Sequence, residues 1–124
     1  MKTVRPVNLD LSTFSFPITA ITSILHRVSG VALLLGAFAA VWFLAISLRS
    51  APDFATASAW VQAPLGQFLT WGFFAALIYH LVMGLKHLIQ DLGFGETFSG
   101  GKALSQAALA ISVVLIIAAG VWVW

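Results

Sequence analysis

The sequence predicts an all-α membrane protein with three transmembrane helices. Apolar residues make up 60% of its 124 residues and charged residues only 8%, with a mean hydropathy of +1.01. A soluble domain carries about 25% charged residues, and a chain this short has too little interior to hide so much apolar surface from water. Three long stretches also carry no charge, and each reaches the roughly 20 residues that a helix needs to cross a bilayer.

The charge-free stretches locate the three spans. They lie between Arg27 and Arg49, between Asp53 and Lys86, and after Lys102. The predicted spans cover roughly residues 25–48, 64–89 and 103–123, joined by short loops. Pro64 suits the first turn of the second span, because its missing N–H costs nothing there. Residues 1–22 are predicted to form an inner N-terminal segment, and residues 23–124 the three-helix transmembrane domain.

The basic residues predict the orientation of the chain in the membrane. With the N-terminus inside, all basic residues except Arg49 lie on the inner side: Lys2, Arg5, Arg27, Lys86 and Lys102. Basic residues near the ends of spans favour the cytoplasmic side, so we expect the N-terminus in and the C-terminus out. The N-terminal residues lack the features of a secretory signal or a transit peptide. We therefore expect a multi-pass protein of the bacterial inner (cytoplasmic) membrane.

The composition also excludes several functions. The chain has no cysteine, so it offers no thiolate ligand to a metal or to an iron–sulfur cluster. Its few basic residues form no stripe that could neutralise the phosphates of a nucleic acid. The acidic residues lie in the predicted loops and inner segment, which leaves no arrangement for a hydrolytic triad. We expect the lipid bilayer, and no nucleic acid, among its partners.

His80 is an ionisable residue within the second predicted span, where such residues suggest function. It shares a face at four-residue spacing with three small residues, Gly72, Ala76 and Gly84. Small residues let another helix approach closely, and they equally leave room for a flat macrocycle. Histidine is a common axial ligand of haem iron. The pattern leaves three alternatives open, namely a hydrogen bond across a helix seam, haem ligation and a proton relay.

A second polar cluster, Ser23, His26 and Arg27, lies at the inner end of the first predicted span. Ser23 and Arg27 are four residues apart and therefore share a helix face. Arginine is a permanent cation with several hydrogen-bond donors, which suits a haem propionate, a quinone oxygen or a lipid phosphate. The alternative is that Arg27 only anchors the helix by extending to the lipid headgroups.

Two segments resemble the signatures of a known family, the cytochrome b subunits of succinate dehydrogenase. The first contains Arg5-Pro6-Val7-Asn8-Leu9-Asp10-Leu11, Phe16-Pro17 and Ser23-Ile24-Leu25-His26-Arg27-Val28-Ser29-Gly30. The second runs from His80 to Gly93 and reads His-Leu-Val-Met-Gly-Leu-Lys-His-Leu-Ile-Gln-Asp-Leu-Gly. With three spans in the same order, the resemblance covers nearly the whole chain.

The resemblance implies a membrane anchor that is part of an enzyme but not catalytic alone. With a second small membrane subunit, it would form a heterodimeric helical bundle that anchors a flavoprotein and an iron–sulfur protein. Succinate is oxidised in the flavoprotein, and electrons pass through iron–sulfur clusters to ubiquinone at the membrane boundary. The implied cofactor is haem b, shared between the two anchor subunits. A fumarate reductase anchor and a haem-free anchor or transport subunit are the alternatives.

The resemblance also implies roles for individual residues. His80 matches the axial ligand of the haem iron, and its other ring nitrogen should then meet a backbone carbonyl or water. Ser23 and Arg27 match the quinone-binding residues. The expected haem contacts are His26, Arg27, Gly84 and His87. Lys86 stands where the family has arginine, so the charge is kept but the bidentate fork of arginine is lost.

Overall fold

The computed structural model describes Val7 and residues 9–124, and within these residues it is entirely helical. A short 3-10 helix, Leu11–Thr13, precedes four α-helices: α1 (Ile18–Ser47), α2 (Ala51–Gln62), α3 (Pro64–Asp91) and α4 (Phe98–Val123). Helices α1, α3 and α4 are long and apolar enough to cross a membrane, which confirms the all-α fold and the three spans. The orientation of the termini stays a prediction. Four residues used above lie outside the described residues: Lys2, Arg5, Pro6 and Asn8.

The helices extend beyond the apolar stretches that predicted them. Helix α1 begins at Ile18, directly after Pro17, rather than near residue 25. Helix α4 begins at Phe98, where the Thr97 hydroxyl accepts a hydrogen bond from the Gly100 N–H at 3.1 Å. Helix α3 begins at Pro64, as predicted. Hydropathy detects the part of a helix that lies in lipid, whereas capping residues determine where the helix begins.

The predicted short loop between the first two spans is wrong, because these residues form α2. Ser50 caps this helix by accepting a hydrogen bond from the Asp53 N–H at 3.2 Å, and its hydroxyl donates to the Asp53 carboxylate at 2.8 Å. Pro52 occupies the first turn, where it is tolerated. With 12 residues, α2 is about 18 Å long and too short to cross a bilayer. It packs against α1 and α3 and buries Ala57.

Helix α3 lies at the centre of the bundle and packs against both α1 and α4. Its Met83 is fully buried. The buried face of α4 consists entirely of small residues: Gly101, Ser105, Ala108 and Ser112. Most large apolar side chains are instead exposed on the outside of the bundle. This distribution is expected in lipid, where close packing of small residues, not burial of bulky ones, holds helices together.

Two side chains of α3 donate hydrogen bonds to the backbone of α4. The Trp71 Nε1–H donates to the Ile116 carbonyl at 3.0 Å, and the Gln67 Nε2 donates to the Val123 carbonyl at 3.3 Å. Gly120 gives the Trp71 ring its space, since a Cβ there would lie 3.2 Å from Nε1. These contacts fasten the C-terminal half of α4 to the N-terminal half of α3.

Helix α3 ends in a Schellman motif, which turns the chain toward α4. The Gly93 N–H bonds the Gln90 carbonyl at 2.9 Å, and the Phe94 N–H bonds the Ile89 carbonyl at 3.3 Å. Gly93 has a φ of +89°, a left-handed conformation that glycine adopts without strain. The motif satisfies carbonyls that the end of α3 would otherwise leave unpaired.

We predict that Gly66→Ala destabilises the corner between α2 and α3. A Cβ at Gly66 would collide with the backbone carbonyl of Trp60, and backbone cannot move aside as a flexible side chain can. Overpacking of this kind costs about 1–3 kcal/mol. The measurement is the free energy of unfolding of the purified protein in detergent. Gly72→Ala on the same helix is the control, because a Cβ there meets no atom of this chain within 4 Å. Equal effects of the two substitutions would contradict the prediction.

Candidate functional site

Three imidazole rings meet between α1 and α3. The rings of His26 on α1 and His80 on α3 are stacked, with centroids 4.0 Å apart and planes at 15°. His87, two turns further along α3, meets the His26 ring edge-on at 5.2 Å. Helical spacing explains why His80 and His87 share a face of α3, since seven residues make nearly two turns. The structure thus brings together all three histidines that the sequence singled out.

His80 is held through its Nδ1 atom. This nitrogen lies 3.1 Å from the His26 backbone carbonyl and 3.1 Å from the Ser29 hydroxyl oxygen. A carbonyl oxygen can only accept, so the contact is a hydrogen bond when Nδ1 carries the proton. The Nε2 atom then has a free lone pair, which is the form that binds a metal. A backbone carbonyl on the other ring nitrogen is the arrangement expected of an iron ligand.

His26 has an unsatisfied polar atom. Its Nε2 is buried and has no hydrogen-bond partner within the described part of the chain. Gly84 lies beside it, and a Cβ at this glycine would be 3.8 Å from Nε2. A buried polar atom without a partner is costly and rare. His26 therefore offers a hydrogen-bonding position to a bound group.

Gly30 sets the distance between α1 and the His80 ring. A Cβ at this position would lie 3.1 Å from His80 Cε1, which is closer than the ring could tolerate without a shift. At Gly30 and Gly84 the helix backbone itself therefore lies next to the histidine rings, with no side chain between.

Ser23 and Arg27 lie on a different side of α1 from the histidine cluster. Arg27 is exposed and Ser23 is partly exposed. Neither side chain forms a hydrogen bond with the described residues, whereas three other hydroxyls of α1 bond to carbonyls of their own helix: those of Thr22, Ser29 and Ser47. The Ser23 hydroxyl and the Arg27 guanidinium are therefore available to a ligand or a partner.

Lys86 is buried, with only 5% of its surface exposed. Within residues 9–124 its ammonium group forms no hydrogen bond or ion pair. It acts electrostatically on both His26 and His87. An anionic group held near the histidine cluster would give this ammonium group a counter-charge. The lysine that replaces the family's arginine thus keeps a cation at the site.

Tyr79 and Ser29 were not recognised from the sequence as site residues. The Tyr79 hydroxyl donates to the Thr22 carbonyl at 3.0 Å and joins α3 to α1 beside Ser23. Ser29 contacts the ring of His80 directly. A signal for Ser29 was present, because Thr22, His26 and Ser29 recur at helical spacing and so share one face of α1.

The comparisons with known proteins identify the family. The model of the succinate dehydrogenase/fumarate reductase transmembrane subunit family matches residues 1–119. The chain belongs to this family. It is 35% identical to the succinate dehydrogenase cytochrome b556 subunit of Coxiella burnetii over 130 aligned positions, with full coverage of both chains. Its identity to the subunit of the same name from Paracoccus denitrificans is 40%, covering 90% of this chain and 85% of the relative.

Family membership confirms the resemblance found in the two signature segments. A subunit of the same name from Rickettsia prowazekii is 28% identical and covers 90% of this chain. Together with three apolar helices, these bacterial relatives support a multi-pass protein of the inner membrane, as predicted. The chain is thus a transmembrane subunit of an oxidoreductase complex.

We predict that Tyr79→Phe destabilises the contact between α1 and α3. The substitution keeps the ring but removes the hydrogen bond to the Thr22 carbonyl, with an expected cost of about 0.5–2 kcal/mol. The measurement is the free energy of unfolding in detergent. Thr22→Val is the control, since the bond from Tyr79 goes to the backbone of Thr22 and survives this change. An unchanged stability in Tyr79→Phe would show that the bond contributes nothing.

Proposed function

We propose that the chain is the membrane-anchor cytochrome b subunit of succinate dehydrogenase, which binds haem b and forms part of the ubiquinone-reducing site. The observation that carries the proposal is the Nδ1 contact of His80 with the His26 carbonyl at 3.1 Å. It leaves Nε2 free for iron in the middle of a membrane bundle. The name cytochrome b556, carried by the Coxiella and Paracoccus relatives, supports a b-type haem.

The residues of the histidine cluster fit a haem. His80 supplies a free imidazole nitrogen, and the buried Nε2 of His26 lacks a partner. Gly30 accommodates the His80 ring, and the Gly84 backbone lies next to His26 Nε2 without a side chain between them. Bound haem supplies one-electron chemistry. The cationic side chains of Arg27 and Lys86 would balance the negative charge of the propionates, His26 and His87 would offer ring N–H donors, and Gly84 would be a further residue in contact with the haem.

Ser23 and Arg27 are the proposed quinone-binding residues of this chain. The Ser23 hydroxyl, which does not bond to its own helix, donates to a carbonyl of ubiquinone. Arg27 stabilises the negative charge that develops as the quinone takes up electrons, because a fixed cation in a membrane is screened little by water. Two electrons and two protons convert the quinone to the quinol. The outward position of both residues on α1 suits a site shared with partner subunits.

The proposed partners are a flavoprotein subunit, an iron–sulfur subunit and a second small membrane-anchor subunit. The inner N-terminal segment, residues 1–22, would lie on the side where the soluble subunits dock, with the N-terminus in and the C-terminus out. The exposed apolar surface of α1 suits lipid and the second anchor helix bundle, with which the chain would form a heterodimer around the haem.

The family description also includes fumarate reductase, whose anchor oxidises quinol and runs the reaction in the opposite direction. Turnover of the purified complex with each quinone type, measured in both directions, separates these two functions. A reduced-minus-oxidised optical spectrum of the same complex tests for haem. Absence of a b-type signal from a stoichiometric complex would favour a haem-free anchor.

We predict that His80→Leu lowers the haem content of the complex or shifts its optical spectrum. Leucine fills similar volume but offers no nitrogen to iron. The measurement is the ratio of haem to flavin in the purified complex, together with its reduced-minus-oxidised spectrum. Tyr79→Phe, at the adjacent position, is the control for general disturbance of α3. If the haem content and the spectrum of His80→Leu both equal those of the parent, His80 is not the ligand.

We predict that Ser23→Ala and Arg27→Leu impair quinone reduction selectively. Loss of a preorganised donor or cation at a developing negative charge typically costs about a hundredfold in rate. Succinate oxidation with an artificial acceptor should remain near the parent level. Ser47→Ala, at the far end of the same helix, is the matched control, because the Ser47 hydroxyl bonds only to the Leu44 carbonyl. Unchanged quinone reduction in both variants would refute the assignment, whereas equal loss of both activities would indicate failed assembly instead.

A further inference from the structure

Three polar groups form a closed triangle between α1 and α3. The Ser29 hydroxyl oxygen lies 2.7 Å from the His26 carbonyl oxygen and 3.1 Å from His80 Nδ1. The third side is the 3.1 Å contact between His80 Nδ1 and the same carbonyl. Ser29 itself is buried, with 8% of its surface exposed. The triangle is therefore partly buried between the two helices.

The positions of the protons follow from what each atom can do. The carbonyl oxygen only accepts, so the Ser29 hydroxyl donates to it and His80 Nδ1–H donates to it as well. Because the Ser29 hydroxyl points its hydrogen at the carbonyl oxygen, the lone pairs of the Ser29 oxygen are free to accept a hydrogen bond from His80 Nδ1–H. In the opposite tautomer of His80, Nδ1 carries no proton and can only accept a hydrogen bond. It could accept from the Ser29 hydroxyl, but that hydroxyl would then no longer donate to the His26 carbonyl. Ser29 thus favours the Nδ1–H form of the ring.

We propose that Ser29 is a positioning residue for the haem ligand. It holds His80 in the tautomer and ring orientation that leave the Nε2 lone pair free, and this role rests on the proposed ligation of iron by His80. Gly30, the next residue, makes the arrangement possible, because a Cβ there would lie 3.1 Å from His80 Cε1. Ser29 therefore supplies a hydrogen-bond acceptor for the His80 ring, and the adjacent Gly30 leaves the space that the ring occupies.

The hydrogen bond to Ser29 also has an electronic consequence. A histidine that donates strongly from one nitrogen becomes a more basic ligand at the other nitrogen. A more basic ligand stabilises the oxidised iron and lowers the reduction potential of the haem. Loss of the Ser29 acceptor should therefore raise the potential. The His26 carbonyl remains as an acceptor, so the haem should stay bound.

The test is a potentiometric titration of the haem in the purified complex that carries Ser29→Ala. We expect a haem-to-flavin ratio equal to the parent's and an upward shift of the midpoint potential. Ser29→Thr keeps the hydroxyl and should restore the parent potential. Ser112→Ala is the matched control, because Ser112 is also a buried serine whose hydroxyl bonds a carbonyl of its own helix. It belongs to α4 and has no contact with His80.

The outcomes separate this inference from the proposed function. An unchanged potential in Ser29→Ala with intact haem overturns the role of Ser29, and so does an equal shift in Ser112→Ala or in Ser29→Thr. If Ser29→Ala does not assemble, the near-isosteric Ser29→Cys gives the same comparison, because sulfur is a weak acceptor. An unaltered haem in His80→Leu instead refutes the ligation. If His80→Leu changes the haem content or spectrum but the Ser29 variants keep the parent midpoint potential, only the positioning role of Ser29 is refuted.

Discussion

The stacked contact between His26 and His80, with ring centroids 4.0 Å apart, is the interaction on which the rest of the site depends. In lipid no water is present to satisfy an imidazole, so each ring nitrogen must find a partner within the protein or in a bound group. His80 meets this requirement on one side through the α1 backbone. His80 Nε2 and His26 Nε2 have no hydrogen-bond partner within the described residues, and both are candidates for contact with a cofactor. The site between α1 and α3 is thus defined by ring nitrogens of His26 and His80 that have no partner within the described residues.

Helix α1 directs two groups of polar side chains to different sides. The face toward α3 carries Thr22, His26 and Ser29, whose polar groups are engaged with or close to that helix. The outward side carries Ser23 and Arg27, which have no hydrogen bond within the described residues. The proposed haem contacts and the proposed quinone contacts of α1 therefore lie next to each other along one helix, and Arg27 belongs to both sets. The helical repeat alone produces this division, since neighbouring residues are about 100° apart around the axis.

Much of the fold was predictable because lipid imposes a simple rule, namely that a spanning helix must be long and free of charge. That rule identified α1, α3 and α4, and it singled out His80 as an anomaly. It could not identify α2, which depends on the Ser50 cap and on packing against α1 and α3. Nor could it reveal the role of Ser29, because helical spacing places this serine on the same face as His26 but does not show which ring lies opposite. The stack of His26 on His80 depends on how α1 and α3 are paired, which spacing within one helix does not encode.

The hydrogen bonds from Gln67 and Trp71 to the Val123 and Ile116 carbonyls determine the register of α4. Small buried residues alone would allow α4 to slide along α3, because a smooth surface offers few steric stops. Sliding by a turn would separate both donors from their carbonyls within lipid, where an unpaired donor is costly. A residue inserted inside α4 would rotate the rest of that helix by about 100° and would therefore move the two carbonyls away from their donors. Hydrogen bonds at this end of the bundle, together with the contacts of Trp71 with Trp124 and of Phe74 with Trp122, therefore fix the position of α4 along α3.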